Sequence, residues 1–171
     1  SDANGAVVLR RQNQKFGSMG TTVVALMIDD MEVAISHIGD SRAYLVHADG
    51  ITQLTVDDTL VQQMVDAGQI KPEEALSHPD AHYLTRCLGT QVELEVPLQY
   101  FWRLPSESSD IIVLCSDGLY GLVSDEEIAE AVRTLAPDIA CKTLIELANS
   151  RGGYDNITVS IVPQQGALSD Q

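Results

Sequence analysis

Two aspartates stand where an apolar run of this 171-residue chain meets a turn that contains glycine. Asp117 follows the run at 111–115, and Asp155 precedes the run at 157–161. Runs rich in valine and isoleucine are typical of buried strands, so each carboxylate would lie at the rim of a rigid element. Carboxylate oxygens held in this way are ligands that Mg²⁺ and Mn²⁺ prefer. Alternatively, each aspartate alone is explained by a turn, since Asp-Gly and Asp-Asn are common turn pairs.

Three more aspartates lie in turns or loops of the first half of the chain. Asp40 belongs to a Gly-Asp-Ser-Arg turn in which its carboxylate can pair with Arg42, and this favours a structural role. Asp58 stands directly before an apolar helical pattern and is the predicted N-cap of that helix. Asp57 is then free for another role, and both a solvated loop carboxylate and a ligand fit its position.

Other chemistries have less support in the sequence. His78 and His82 could form a metal-binding pair on one helix face, but Pro79 disfavours helix at His78. No Gly-x-Ser-x-Gly elbow is present, no cysteine has a base beside it, and no glycine-rich phosphate loop precedes a helix. Metal-assisted chemistry remains, in which carboxylates hold Mg²⁺ or Mn²⁺ ions that activate water and neutralise charge on a phosphoryl group.

Composition bounds the class of protein. With 44% apolar residues, the chain is long enough for one domain with a substantial core. The net charge of −15 argues against a nucleic-acid groove, and the apolar runs are too short to cross a bilayer. The first residues lack a basic n-region, so no signal peptide is expected. Reduced thiols in a cytoplasmic protein are expected for the three cysteines, Cys87, Cys115 and Cys141.

The elements that must position the aspartates are strands and amphipathic helices. Apolar runs bounded by turn residues predict strands at 21–28, 32–38, 42–47, 51–55, 98–104, 111–115 and 157–162. Helical spacing predicts helices at 3–15, from 60 to a stop at Gly68, at 72–77, from a capping box at Ser124 to 135, and at 138–149. Residues 83–88 stay ambiguous, and a frayed tail is expected at 164–171. The pattern predicts an α+β fold in a single domain over 1–163.

Set in order, the motifs of the chain resemble the metal-dependent serine/threonine protein phosphatases of the type 2C class, in their bacterial branch. The matching stretches span 18–162 in the family's order and spacing, at 18–22, 38–42, 54–62, 67–70, 72–75, 78–79, 84–89, 115–119 and 153–158. The resemblance implies an antiparallel β-sandwich flanked by antiparallel helices, incomplete at the N-terminus. It also implies a flap segment at about 56–80.

The resemblance assigns roles to residues of this chain. Asp117 and Asp155 match two ligands of a primary two-metal site for Mg²⁺ or Mn²⁺, and Asp57 matches the loop aspartate of a weaker third site. No catalytic side chain is assignable, because a metal-bridging hydroxide attacks the phosphorus of phosphoserine or phosphothreonine in line. Structural roles near the site are implied for Asp40, Arg42, Gly118 and Asn156.

The chain departs from the family pattern in two ways. Gly121 stands where many relatives carry a metal-associated aspartate, and this bears on third-metal affinity. The family's N-terminal segment, with a phosphate-gripping arginine and an aspartate that bridges both metals, has no counterpart before Ser18. We therefore expect the C-terminal two-thirds of an enzyme, weakly active or inactive alone. Association with an N-terminal fragment, or dimerisation, would cover its open strands and can be checked by sedimentation.

A second hypothesis is a catalytically silent domain that binds a phosphoprotein or a kinase. The presence of Asp57, Asp117 and Asp155 together favours the enzyme, because a silent binder does not need metal ligands. A stress-response phosphatase is disfavoured, since such relatives often carry an aspartate where this chain has Asn156. The expected partner is a phosphoprotein, and neither a nucleic acid nor a membrane is expected.

Overall fold

The computed structural model describes residues 2–29, 32–96, 100–103 and 109–163, with backbone only at residue 2 and at 100–103. The predicted tail at 164–171 and part of the predicted strand at 98–104 lie outside the described residues. The helices are α1 Asp2–Arg11, α2 Leu60–Asp66, α3 Pro72–Ala75, α4 Asp117–Tyr120, α5 Asp125–Thr134 and α6 Pro137–Ser150. The strands are β1 Val23–Asp29, β2 Glu32–Ile38, β3 Arg42–Val46, β4 Ile51–Gln53, β5 Tyr100–Arg103, β6 Ile111–Cys115 and β7 Val159–Pro163.

The predicted elements are present, mostly with shorter ends. The first helix ends at Arg11 rather than at 15, and a 3₁₀ turn at Gln14–Phe16 follows it. The ambiguous segment at 83–88 forms isolated bridges to residues 21 and 59. The sequence-based prediction lacks α4, because four residues are too few to show a helical period. The capping box of α5 is confirmed, since Ser124 and Glu127 each accept a hydrogen bond from the other's backbone N–H.

The strands form two antiparallel sheets, ordered β1-β2-β5 and β4-β3-β6-β7. The chain passes from the first sheet to the second through the turn at 39–41, between β2 and β3. Gly39 has a φ of +100°, and a Cβ at this position would overlap the side chain of Thr22. The turn therefore needs glycine, and it brings the ends of β2 and β3 together.

Two apolar clusters hold the two sheets and the helices together as layers. Val33 and Ile35 of the first sheet pack with Ala43 and Ile112 of the second, as expected for a sandwich. On the other face of the second sheet, strand residues pack with the helices, in a cluster that includes Tyr44, Val113, Leu119, Ile128 and Leu144. The α+β prediction is confirmed, with sheet, sheet and helices as successive layers. Within the described residues, no helix is long and apolar enough to cross a membrane.

The ends of β6 and β7 stay in contact beyond the sheet, where the two predicted metal ligands lie. Ser116 donates its N–H to the carbonyl of Thr158 at 3.1 Å, and its hydroxyl accepts from the N–H of Thr158 at 3.0 Å. Gly118 then lies directly against the backbone of Asn156, because a Cβ on this glycine would overlap the Asn156 carbonyl oxygen. Only glycine permits this approach, which sets the two turns side by side.

The crossover turn carries a buried carboxyl group. Asp40 is 8% exposed. Burial, reinforced by the negative charge of Asp117, raises the pKa of the Asp40 carboxyl from 3.8 to about 6. The protonated form is therefore favoured by folding, and its stabilisation is lost as the pH rises from about 4 to about 6.

Replacing Gly118 by alanine is expected to lower the free energy of unfolding by about 2 kcal/mol, because the Asn156 backbone must move to admit a methyl group. Gly5→Ala is the matched control, since Gly5 lies in α1 with open space around its Cβ position. This control should leave stability unchanged or raise it by up to about 1 kcal/mol. Urea unfolding followed by circular dichroism measures both variants. Equal effects of the two substitutions would contradict the close contact.

Asp40→Asn removes an ionisation that folding opposes. In metal-free protein, the variant's stability relative to wild type should be about 1 kcal/mol more favourable at pH 7.5 than at pH 5. Unfolding in urea at the two pH values measures this difference. Asp49→Asn, on an exposed turn, is the control and should show no such change. A relative stability of Asp40→Asn that is the same at both pH values would rule out the raised pKa.

Candidate functional site

Most of the predicted site residues line one cleft, which has a volume of about 240 Å³. The turn after β2, the start of β3 and the loop after β4 contribute Asp40, Arg42 and Asp57 to its lining. The segment from α2 to the loop after α3 contributes Thr59, Val61, Gln62, Ala75, Leu76, Ala81 and His82. The region of α4 and the loop before β7 contribute Asp117, Gly118, Tyr120, Gly121, Leu122, Tyr154 and Asp155. Asn156 does not line the cleft, and acts through its backbone contact with Gly118.

The two predicted primary ligands have similar local geometry. Oδ1 of Asp117 accepts the N–H of Gly118 at 2.9 Å, and Oδ1 of Asp155 accepts the N–H of Asn156 at 2.6 Å. Each carboxylate is thus oriented by the residue that follows it. Within the described residues, Oδ2 of each has no hydrogen-bond donor, so one oxygen of each remains available to a ligand.

The donor set fits a hard divalent cation that keeps much of its water. Mg²⁺ is commonly held by one or two carboxylates together with water and substrate phosphate. Asp117 and Asp155 are two carboxylates that line the same cleft. In the described part of the chain, no group of three or more His, Cys, Asp and Glu side chains is arranged to hold a metal. The residues therefore fit a site with two protein carboxylates rather than a cage made by the protein alone.

Asp57 is engaged by a cation of the protein. The turn predicted a pair between Arg42 and Asp40, but Arg42 pairs with Asp57 instead. The β3–β4 hairpin causes this, because it brings the end of β4 beside Arg42. Nη2 of Arg42 lies 2.7 Å from Oδ2 of Asp57, and Nε lies 3.0 Å from Oδ1. Gln53 also donates to Oδ1, at 3.0 Å. The expectation that Asp57 is free is wrong, and its role as a third-metal ligand stays a prediction.

Two tyrosines complete the surroundings of Arg42. The guanidinium carbon lies 3.7 Å from the ring centroid of Tyr120, and Nη1 donates to the hydroxyl of Tyr44 at 3.0 Å. The Tyr120 hydroxyl donates to the backbone carbonyl of Asp40 at 2.9 Å. Burial raises the pKa of both tyrosine hydroxyls, so they stay neutral. Alternation along β3 could have paired Arg42 with Tyr44, whereas no local signal points to Tyr120.

The predicted N-cap is also corrected. Thr59 caps α2, because its hydroxyl accepts the N–H of Gln62 at 3.2 Å. Asp58 instead accepts the N–H of Gly39 at 3.0 Å and a hydrogen bond from Arg86 at 3.2 Å. Its carboxylate therefore ties the crossover turn to the loop after β4. Sequence reasoning chose Asp58 because aspartate and threonine are both good N-caps, and only the backbone direction separates them.

The other reactive side chains are not arranged for catalysis. His78 accepts the N–H of Asp80 at Nδ1, at 3.1 Å, so it belongs to a turn rather than to a helical metal pair. Cys115 is 3% exposed, and burial raises the pKa of its thiol to about 12. A thiol of this pKa is not a nucleophile near neutral pH. His82 lines the cleft and is exposed.

The sequence and the fold of this chain are similar to those of known proteins. The chain is 39% identical over 165 residues to the serine/threonine phosphatase stp of Listeria innocua, covering 94% of this chain and 64% of the relative. The crystal structure of the Mycobacterium tuberculosis serine/threonine phosphatase PstP/Ppp superposes with a TM-score of 0.84 at 40% identity. That match covers 94% of this chain and 66% of that one.

A structure of the catalytic domain of the phosphatase PstP in complex with two manganese ions gives a TM-score of 0.81 at 38% identity. It covers 94% of this chain and 65% of that one. The chain thus spans a little under two thirds of the length of these three proteins. The model of the family described as protein phosphatase 2C matches residues 5–161. The chain belongs to the protein phosphatase 2C family.

Proposed function

We propose that this chain serves the hydrolysis of phosphoserine and phosphothreonine in proteins, as part of a larger parent enzyme. The observation that carries the proposal is the pair Asp117 and Asp155, each with one oxygen available, in one cleft of a chain of this family. The serine/threonine phosphatases to which the chain is similar support the substrate class. The structure with two manganese ions supports metal dependence.

The residues of the chain have distinct roles in this proposal. Asp117 and Asp155 would hold Mg²⁺ or Mn²⁺, which when bound supplies a Lewis acid that activates water and neutralises phosphoryl charge. Gly118 keeps the two turns in contact, and Arg42 holds the loop of Asp57. Asp57 would join a weaker third ion only by giving up its hydrogen bonds with Arg42. No side chain of the chain is assigned as the nucleophile.

We infer that the 171-residue chain alone binds metal weakly and turns over little. Two carboxylates leave most of an octahedral coordination shell to water, and Mg²⁺ demands near-ideal geometry. Further ligands, from an N-terminal fragment or a second copy of the chain, would raise the affinity. We place the parent enzyme in the cytoplasm, in line with cysteines that are free among the described residues.

A catalytically silent domain that binds a phosphoprotein or a kinase is the second candidate. The ion pair between Asp57 and Arg42 favours this candidate, because a carboxylate that is already neutralised is a poorer ligand for a metal ion. Metal binding discriminates between the two candidates, since a silent domain has no requirement for a divalent cation.

Asp117→Asn and Asp155→Asn are each expected to weaken Mn²⁺ binding at least tenfold, because an amide oxygen replaces a charged ligand. Isothermal titration with MnCl₂ measures the affinity of each variant. Asp49→Asn is the control, as it changes the same charge on an exposed turn outside the cleft. Equal affinities for all three variants would exclude Asp117 and Asp155 as the metal site.

Manganese-dependent hydrolysis of p-nitrophenyl phosphate by the 171-residue chain is expected to be near the background rate. In the parent enzyme, we expect Asp117→Asn to lower phosphate release from a phosphothreonine peptide at least 100-fold. Rapid turnover by the chain alone, lost in Asp117→Asn, would contradict the need for further ligands. An unchanged rate in the parent variant would overturn the proposed function.

A further inference from the structure

Tyr154 is an exposed aromatic residue held in a defined orientation on the rim of the cleft. It is 83% exposed and directly precedes Asp155. The two glycines before it have positive φ values, +130° at Gly152 and +53° at Gly153. Residues with a side chain rarely adopt such values. A Cβ on Gly152 would overlap the ring of Tyr154, so the ring lies close to Gly152. The ring is thus close to the backbone without being buried.

The segment from α2 to the loop after α3 gives the cleft a wall with four apolar residues beside Thr59, Gln62 and His82. Of its lining residues, Val61, Ala75, Leu76 and Ala81 are apolar, and none is a carboxylate. Leu76 is 58% exposed although it faces this cavity. The carboxylates of the cleft come from other parts of the chain. One cavity therefore joins the candidate metal ligands to an exposed apolar surface.

We propose that Leu76 and Tyr154 bind an apolar side chain of the phosphoprotein, within a few residues of the phosphorylated position. The inference rests on the proposed function and names a substrate preference for the same site. The apolar wall and the carboxylate pair belong to the same cleft. The phosphate must reach the carboxylate pair, and Tyr154 directly precedes one member of that pair, Asp155. A neighbouring side chain of the substrate then meets the wall of Leu76 and Tyr154. An apolar side chain fits this wall, because Leu76 and Tyr154 both line the cleft and leave large apolar side chains exposed there.

Fluorescence anisotropy of labelled peptides with the parent enzyme in MnCl₂ tests this preference without turnover. Each peptide carries a non-hydrolysable phosphonate analogue of phosphothreonine, and leucine is placed in turn at the three positions on either side. At the position that binds best, we expect serine, arginine or aspartate in place of leucine to weaken binding about tenfold. Tyr154→Ser and Leu76→Ser should each remove most of the difference between the leucine and serine peptides.

Matched controls separate a local effect from a general one. Tyr83→Ser removes another exposed tyrosine, 65% exposed, that does not line the cleft, and Leu9→Ser removes a leucine that is 66% exposed in α1. Both should keep the tenfold preference. Equal binding of the four peptides, tightest binding of the arginine peptide, or no measurable binding would overturn the inference. A leucine preference together with no gain in affinity from the phosphonate would support the inference and count against the proposed phosphatase function.

Discussion

The ion pair between Arg42 and Asp57 is the interaction on which the arrangement of the cleft depends. The two side chains are 11% and 10% exposed, and three hydrogen bonds join them. Removing one partner of a buried pair costs about 3–5 kcal/mol, because the remaining charge loses its compensation. The planar guanidinium also bonds Tyr44 and stacks on Tyr120, which the compact ammonium of a lysine could not do in the same geometry.

The loop that presents Asp57 is tied to both sheets. The ring of His37, from the first sheet, lies with Nε2 at 2.8 Å from the carbonyl of Val56, so this nitrogen is the donor. From the second sheet, Ala43 donates its N–H to the hydroxyl of Thr55 at 3.1 Å. The position of Asp57 is therefore set by the packing of the sandwich rather than by local turn preference.

The two candidate metal ligands, Asp117 and Asp155, are positioned by contacts other than the ion pair of Arg42 and Asp57. Adjacent pairing of β6 and β7 aligns the strand ends, and Gly118 allows the turns that follow to touch. In addition to burial, the negative charges of Asp117 and Asp57 oppose the ionisation of the nearby Asp40 carboxyl group and raise its pKa. The cleft thus combines one neutralised carboxylate, one with a raised pKa and two that are oriented by the following N–H groups. A divalent cation would compensate the negative charge that remains.

The sequence alone determined the α+β class, most element positions, and the identity of Asp117 and Asp155 as candidate ligands, because apolar periodicity and turn residues act over short stretches. Its errors concern partners: Arg42 with Asp57 instead of Asp40, and Thr59 instead of Asp58 as the cap of α2. Both depend on which strands lie side by side and on the direction of the backbone, which residues near in sequence do not reveal. Only the tertiary structure placed Tyr120 under the guanidinium, and Leu76 and Tyr154 on one cleft, since these contacts join elements that are far apart along the chain.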